Sequence, residues 1–194
     1  MDLKQAKQMA KRELSEKRYQ HTLNVKQQAV HLAKLYGADE DKAALAAYLH
    51  DIAKERPHQE LLQILRDNAI MAENAQERPA PVWHGICAAI LCQTEWGIAD
   101  PEILSAIACH TTGKPGMSKL DKIVFLADMT CAERTYPEVH ELRRLCEEDL
   151  DVAMITALGM NIAWMEESGK PIDPVSRETY EDLRKSYHGG KRFE

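Results

Sequence analysis

The chain has 194 residues, enough for one domain with a substantial hydrophobic core. Its 25 basic and 31 acidic residues give a net charge of −6, which does not favour a nucleic-acid or membrane-binding surface. The N-terminus is charged and no apolar run approaches the roughly 18 residues of a membrane span, so we expect a cytoplasmic protein. The five cysteines are odd in number and include no Cys-x-x-Cys pair, which argues against a disulfide framework and a cysteine zinc site.

Helical spacing of apolar residues dominates the chain from its start, and no segment alternates with the period of a strand. The first two apolar stripes are Leu3, Ala6, Ala10 and Leu14, and then Val25, Ala29, Leu32 and Tyr36. Gly37 is predicted to end the second helix. Asp39 is predicted to cap a third helix that runs through Leu45, Leu49 and Ile52.

The middle of the chain predicts a further series of helices and one loop. A helix should follow Pro57, whereas residues 72–81 contain two prolines without periodicity and should form a loop. The next helix is expected from about Trp83 to Trp96. Asp100-Pro101 should begin another, because Asp caps helices and Pro is favoured at the first helical position. That helix should end near His110, where glycines and a proline follow.

Three signals mark the C-terminal part. Ser118 to Asp121 resembles a capping box, residues 150–164 carry a long apolar stripe, and Asp173-Pro174 should start the last helix. We find no linker, repeat or low-complexity segment. The sequence therefore predicts an all-α helical bundle in which residues 1–194 form a single domain.

Six side chains that could bind a metal fall at or near ends of the predicted helices: His21, His50, Asp51, His84, His110 and Asp128. Side chains at the ends of separate helices can converge on one site. A single histidine is more often a surface or hydrogen-bonded core residue, and a single aspartate is often a cap. Spacing alone therefore does not single out these residues.

The order of these residues resembles the HD-domain superfamily and, more narrowly, the YqeK family of HD-type symmetrical bis(5'-nucleosyl)-tetraphosphatases. The similarity covers roughly residues 1–185. The matching segments are Arg18–Leu23, Leu49–Lys54, Trp83–Gly85, His110–Ser118, Lys122–Asp128, Arg134–Pro137 and Leu142-Arg143. His-Thr-Thr-Gly at 110–113, followed by Leu-Ala-Asp at 126–128, is far more specific than the His-Asp dipeptide alone. One departure is that Thr130, Cys131 and Ala132 stand where the family tends to carry Ile-Glu-Pro, which bears on the shape of the nucleotide pocket beside Arg134.

The resemblance implies that all six side chains bind a dinuclear centre of divalent or mixed-valence ions. Six protein ligands are many for one catalytic metal with an open position, but they suit two metals if Asp51 bridges. A set of imidazoles and carboxylates without thiolates disfavours a structural zinc or iron–sulfur site. We favour iron, and manganese, cobalt, nickel or catalytic zinc would also suit these ligands.

The resemblance also implies that the chain splits diadenosine tetraphosphate, and related dinucleoside polyphosphates, into two ADP with a metal-activated water. Asp51 and Lys54 are the expected catalytic residues. Lys54, Arg18 and Arg134 are the cations expected to hold the substrate phosphates. Thr111, Thr112 and Gly113 are expected to offer hydroxyl and backbone N–H groups to phosphate.

Two other functions stay open. The same metals would serve another HD-domain phosphohydrolase, such as a nucleoside monophosphatase or a cyclic-nucleotide phosphodiesterase. A non-catalytic nucleotide sensor is disfavoured, because a binding module has no need of two open metal positions. The expected partner is a small nucleotide rather than nucleic acid or membrane, and a homodimer is left open.

Overall fold

The structure, a computed structural model, describes residues 1–68 and 74–187, and within these ranges it contains ten α-helices and no strand. The helices are α1 (Leu3–Glu13), α2 (Glu16–Leu35), α3 (Glu40–Leu49), α4 (His58–Asp67), α5 (Trp83–Thr94), α6 (Pro101–Cys109), α7 (Lys119–Thr130), α8 (Val139–Glu148), α9 (Leu150–Glu167) and α10 (Pro174–Ser186). The predicted all-helical bundle is confirmed. None of the helices in the described ranges combines the length and apolar character needed to cross a membrane.

The predicted helix caps are present. The side chains of Asp39, Asp100 and Asp173 each accept a hydrogen bond from a backbone N–H in the first turn of the helix that follows. Ser118 and Asp121 form a complete capping box at the start of α7. Because the first N–H groups of a helix have no partner inside it, each such cap contributes about 0.5–2 kcal/mol.

The third helix is shorter than predicted. It ends at Leu49, and the chain continues in tight turns in which the backbone N–H of Ile52 donates to Leu49 O at 3.1 Å. The N–H of Lys54 likewise donates to Asp51 O at 2.8 Å. Ile52 is buried nonetheless, so its apolar spacing reflects the core rather than a continuing helix. Adjacent residues of a helix point about 100° apart, and leaving the helix lets His50 and Asp51 share one site.

The sequence analysis missed α8. Glu138 provides no side-chain cap, and the helix has only ten residues, five of them charged. Tertiary contacts stabilise it instead. Val139, Leu142 and Cys146 are buried, and the Arg143 guanidinium donates to backbone carbonyls of the turn after α7, including Thr130 O at 2.9 Å. The loop predicted at residues 72–81 overlaps two short 3₁₀ helices, Ala75–Glu77 and Ala80–Val82, and its residues 72 and 73 lie outside the described ranges.

The core surrounds α7, which packs against α2, α3, α6, α8 and α9. Its side chains Ile123, Phe125 and Leu126 are almost completely buried, and burial of each contributes about 1.5–3 kcal/mol. In addition, α2 packs on α3, α3 packs on α6, and α5 packs on α6. The helices that carry or adjoin the six candidate ligands are therefore neighbours in space.

Candidate metal centre

Helix ends bring the candidate ligands together. His50 and His110 occupy the C-cap positions of α3 and α6, and Asp51 directly follows His50. His84 is the second residue of α5. His21 and Asp128 lie further from the helix ends, as the sixth residue of α2 and the tenth residue of α7. Five of the six side chains belong to buried residues, and Asp128 is partly buried.

Asp51 lies at the centre of the cluster, and its two oxygens face different pairs of histidines. Oδ1 lies 3.2 Å from His84 Nε2 and 3.6 Å from His110 Nε2. Oδ2 lies 3.4 Å from His50 Nε2 and 3.7 Å from His21 Nε2. A carboxylate placed in this way can bind two cations, one through each oxygen.

Asp128 approaches the cluster from α7. Its Oδ1 lies 3.1 Å from His21 Nε2, and a carboxylate oxygen of Asp128 lies within 4.8 Å of possible ligand atoms of His50 and His110. The structure therefore brings all six residues predicted from the sequence into one cluster.

All four histidines are oriented by their second ring nitrogen. A carbonyl or carboxylate oxygen only accepts hydrogen bonds, so each Nδ1 must carry a proton, and in a neutral ring this leaves the lone pair on Nε2, which faces Asp51. Three acceptors are backbone carbonyls three residues earlier: Ala47 O for His50 (2.8 Å), Pro81 O for His84 (2.9 Å) and Ile107 O for His110 (2.7 Å). The fourth acceptor is the Glu133 carboxylate, whose Oε1 lies 2.5 Å from His21 Nδ1.

The ligand atoms fit a metal ion. Among the described side chains, His21 Nε2 and His50 Nε2 are buried without a hydrogen-bond partner. The Nε2 atoms of His84 and His110 face each other at 3.1 Å. In two neutral rings with protonated Nδ1 atoms, both Nε2 atoms carry lone pairs, and a shared cation stabilises such an arrangement. Two of the groupings with metal-binding spacing meet at Asp51, one with His21 and His50 and the other with His84 and His110. The cluster could therefore hold a metal ion.

The two carboxylates and His84 have the ionisation states that a cation site requires. Burial opposes ionisation of Asp51, but the positive charge of a protonated His50 and the surrounding imidazoles hold the pKa of its carboxyl well below the usual value. Against the effect of burial, Asp51 in turn raises the pKa of His50. Burial lowers the pKa of His84 to about 4, so its imidazole is neutral at neutral pH and keeps the lone pair that a metal needs. The pKa of Asp128 is also lowered, since the adjacent His21 ring and the charges of His50 and Arg134 outweigh its burial.

Three cations lie around the cluster. Arg18 Nη1 donates to Asp51 Oδ2 at 2.9 Å, and Arg134 contacts Asp128 through the carboxylate and through the backbone carbonyl, at 2.8 Å from Nε. Lys54 Nζ lies 3.3 Å from His84 Nε2, and burial lowers the pKa of this ammonium group. Both arginines line a cavity of about 1030 Å³, of which His21 also forms part of the wall. The two arginines predicted to bind phosphate thus lie between the cluster and a space large enough for a nucleotide.

The turn after α6 is held by hydrogen bonds within the fold. The backbone N–H groups of Thr112 and Gly113 both donate to Cys109 O, at 3.2 and 2.8 Å. The Thr112 hydroxyl donates to Gly113 O and accepts from Arg78. Gly113 has a φ of +68°, and a Cβ there would lie 2.6 Å from Thr179 Cγ2. These N–H groups are occupied within the turn, and phosphate binding by Thr111, Thr112 and Gly113 stays a prediction. Thr111 differs, because its hydroxyl is buried without a hydrogen-bond partner.

Two polar residues beside the cluster were missed by the sequence analysis. Glu133 contacts His21 from 112 positions away in the chain, and its second oxygen accepts from Asn24 Nδ2 at 2.6 Å. Glu133 directly follows the unusual Thr130–Ala132 segment. The one sequence signal that points to Glu133 is its position directly after the segment that departs from the family pattern.

Comparison with known proteins agrees with the fold and the cluster. The HD domain family matches residues 18–133, more than half of the chain. The chain belongs to the HD domain family, as its motifs predicted.

Two relatives that match nearly the whole chain carry the same name. It is 38% identical over 180 residues, 93% of this chain and 96% of the relative, to the symmetrical bis(5'-nucleosyl)-tetraphosphatase of Bacillus subtilis. It is 40% identical over 183 residues, 94% of this chain and 97% of the relative, to the protein of the same name from Halalkalibacterium halodurans. The crystal structure of a predicted HD superfamily hydrolase involved in NAD metabolism from Clostridium acetobutylicum superposes with a TM-score of 0.91 at 32% identity, covering 96% of this chain and 99% of that one.

Proposed function

We propose that the chain hydrolyses diadenosine tetraphosphate and related dinucleoside polyphosphates symmetrically, to two ADP, at a dinuclear metal centre. Relatives that match nearly the whole chain carry the name of this activity. The structural observation that supports it best is Asp51, whose oxygens face two separate pairs of histidines. A single-metal site has no need of this division.

His21 and His50 would hold one ion, His84 and His110 the other, and Asp51 would bridge them, with Asp128 completing the set. Nitrogen and oxygen ligands of this kind suit iron, which we favour, as well as manganese, cobalt, nickel or catalytic zinc. Bound there, two such ions would supply a water of lowered pKa and polarise a phosphoryl oxygen.

The cations of the chain would bind and stabilise phosphate charge. The guanidinium groups of Arg18 and Arg134 match phosphate oxygens in shape, and both reach the cavity. The Lys54 ammonium group lies 3.3 Å from His84 Nε2 and 3.4 Å from His84 Nδ1. It would stabilise the negative charge that develops on the leaving oxygen. Because the leaving ADP is itself a weak base, a strong general acid is not required.

The bridging role of Asp51 is tested with Asp51→Ala, purified anaerobically beside the wild type. We expect loss of bound metal and of turnover with a largely unchanged helical circular dichroism spectrum. Glu147→Gln, which changes an exposed carboxylate on α8, is the matched control and should keep both metal and activity. An Asp51→Ala protein with full metal content and wild-type rate would contradict the bridging role.

Product analysis tests the symmetry of cleavage. Chromatography after incubation with diadenosine tetraphosphate should show ADP alone, whereas equal amounts of ATP and AMP would refute symmetrical hydrolysis. No turnover by iron- or manganese-loaded protein, together with hydrolysis of nucleoside monophosphates or cyclic nucleotides, would favour another HD-domain activity.

Arg134→Ala should lower catalytic efficiency roughly 10- to 150-fold, since a hydrogen bond to a charged group is worth about 1.5–3 kcal/mol. Metal content should be spared. Arg144→Ala, which removes an exposed arginine paired with Glu141 and Glu148, is the control and should have wild-type kinetics. If Arg134→Ala and Arg144→Ala had equal effects on catalytic efficiency, Arg134 would have no specific role in substrate binding or catalysis.

A further inference from the structure

The four histidines of the cluster are not anchored in the same way. His50 and His110 cap helix ends, where the last carbonyls have no N–H partner within the helix, so their Nδ1 atoms bond to their own backbone. His21 is the sixth residue of α2, and carbonyls inside a helix are already occupied by the N–H groups four residues on. Its Nδ1 therefore needs an acceptor from elsewhere in the fold.

Glu133 provides that acceptor, and it is itself held in place. Its Oε1 lies 2.5 Å from His21 Nδ1, while its Oε2 accepts from Asn24 Nδ2 at 2.6 Å. Residues three apart lie on the same face of a helix, so the side chains of His21 and Asn24 can each hydrogen-bond to one oxygen of the Glu133 carboxylate. The backbone beside it is fixed as well, because Arg134 N donates to Cys131 O at 3.0 Å.

The other side of the His21 ring faces the centre of the cluster. Its Nε2 lies 3.1 Å from Asp128 Oδ1 and 3.7 Å from Asp51 Oδ2, and it is buried without a hydrogen-bond partner. The hydrogen bond at Nδ1 decides which ring nitrogen carries the proton and how the ring is turned. If Nδ1 lost its acceptor, the proton could move to Nε2 and the ring could rotate.

We propose that Glu133 is a positioning residue that fixes His21 as a metal ligand, by accepting its Nδ1–H and holding the Nε2 lone pair towards Asp51 and Asp128. A carboxylate in this place also makes the imidazole a stronger ligand. The proposal rests on the metal centre proposed above. Glu133 also lines the same cavity as Arg18 and Arg134, but the role assigned to it acts on His21 and not on the nucleotide.

The test compares Glu133→Ala and Glu133→Gln with the wild type by metal titration against a competing chelator, with metal content measured by mass spectrometry. Loss of such an outer partner typically costs 10- to 100-fold in metal affinity, and we expect this for Glu133→Ala. Glu133→Gln keeps an acceptor oxygen without the charge, so its loss should be smaller. Thermal unfolding of the metal-free proteins should be nearly unchanged, because Glu133 is partly exposed.

A matched control exists elsewhere on the surface. His31 Nε2 lies 2.7 Å from Glu147 Oε1, and both side chains are about half exposed. Glu147→Gln therefore removes the charge from a second histidine–carboxylate pair and should leave metal affinity unchanged. Turnover of the Glu133 variants should recover largely when metal is added in excess, with an unchanged KM for the nucleotide.

The outcomes separate this inference from the proposed function. A wild-type protein that binds no metal would overturn both. A wild type that binds metal, with Glu133→Ala and Glu133→Gln both within about twofold of its affinity, would overturn only the role of Glu133. Glu133→Gln carries the test if Glu133→Ala fails to fold, since glutamine preserves the shape of the side chain.

Discussion

Replacing Gly85 with alanine should damage the cluster without destabilising the protein. Gly85 is the third residue of α5, directly after His84, and a Cβ at this position would lie 3.1 Å from His110 Cε1 and 3.2 Å from His110 Nδ1. The same atom would lie 3.1 Å from the backbone oxygen of Ala108. Ordinary contacts between carbon atoms begin at about 3.5 Å, so the His110 ring would have to move by a few tenths of an ångström.

Two opposing effects set the magnitude. Alanine is favoured over glycine inside a helix by up to about 1 kcal/mol, which offsets much of the steric cost of the shift. The cluster has no such compensation, because His110 is held by Ile107 O at 2.7 Å and faces Asp51 at 3.6 Å. Functional groups tolerate displacements of only about 0.5 Å, and a misplacement of about 1 Å costs up to about 100-fold in rate. A shift of a few tenths of an ångström uses up much of that tolerance, so we expect a fall in kcat/KM of roughly 3- to 10-fold and weaker metal binding, with a melting temperature within about 3 °C of the wild type.

Gly159→Ala is the matched control, since Gly159 is also helical, in α9, and its Cβ would meet Tyr180 Cε2 at an ordinary 3.4 Å. That variant should have wild-type kinetics and a melting temperature higher by about 2–4 °C, corresponding to the gain of about 1 kcal/mol. Steady-state kinetics, metal analysis and thermal unfolding of both variants test whether the effect of Gly85→Ala is specific to the cluster. If Gly85→Ala kept metal content and kcat/KM within about twofold of the wild type, the close approach to His110 would not matter for function.

Further substitutions test the scaffold and the metal. Arg78→Ala removes the ion-pair partner of the buried Asp173 carboxylate, whose Oδ2 lies 2.6 Å from Arg78 Nε. We expect the free energy of unfolding to fall by about 2–3 kcal/mol, less than for a fully buried pair, and the melting temperature to fall by roughly 5–10 °C. A change below about 1 °C would show that water replaces the arginine. Leu126→Ala, in the fully buried face of α7, should cost about 2–5 kcal/mol in urea unfolding, and a loss below about 1 kcal/mol would contradict its place in the core. When the free metal concentration is about 100-fold above Kd, bound metal stabilises the wild-type protein by about 2.7 kcal/mol. A chelator should remove this stabilisation, and adding metal back should restore it. An unchanged melting temperature after chelation would argue against a bound metal.

The order of helices and much of the candidate site followed from the sequence because their signals are local or belong to an ordered motif. Caps such as Asp39 and Ser118 act on N–H groups two or three residues away, so adjacent residue types are sufficient to predict them. Apolar stripes likewise report one face of one helix. The motif resemblance supplied the candidate ligands, including His21 and Asp128, which no spacing rule would have selected.

Only the tertiary structure decided how these residues are used. It divided the oxygens of Asp51 between two pairs of histidines, and it placed Glu133 on His21 across 112 positions of the chain. In the folded chain the N–H groups of Thr112 and Gly113 donate to Cys109 O, although residues of these types are suited to bind phosphate. Hydrogen bonds between distant residues depend on how separate helices pack and where their ends meet. A local pattern can therefore predict a helix end that carries histidine, but not the direction in which that histidine points or the partner that holds it.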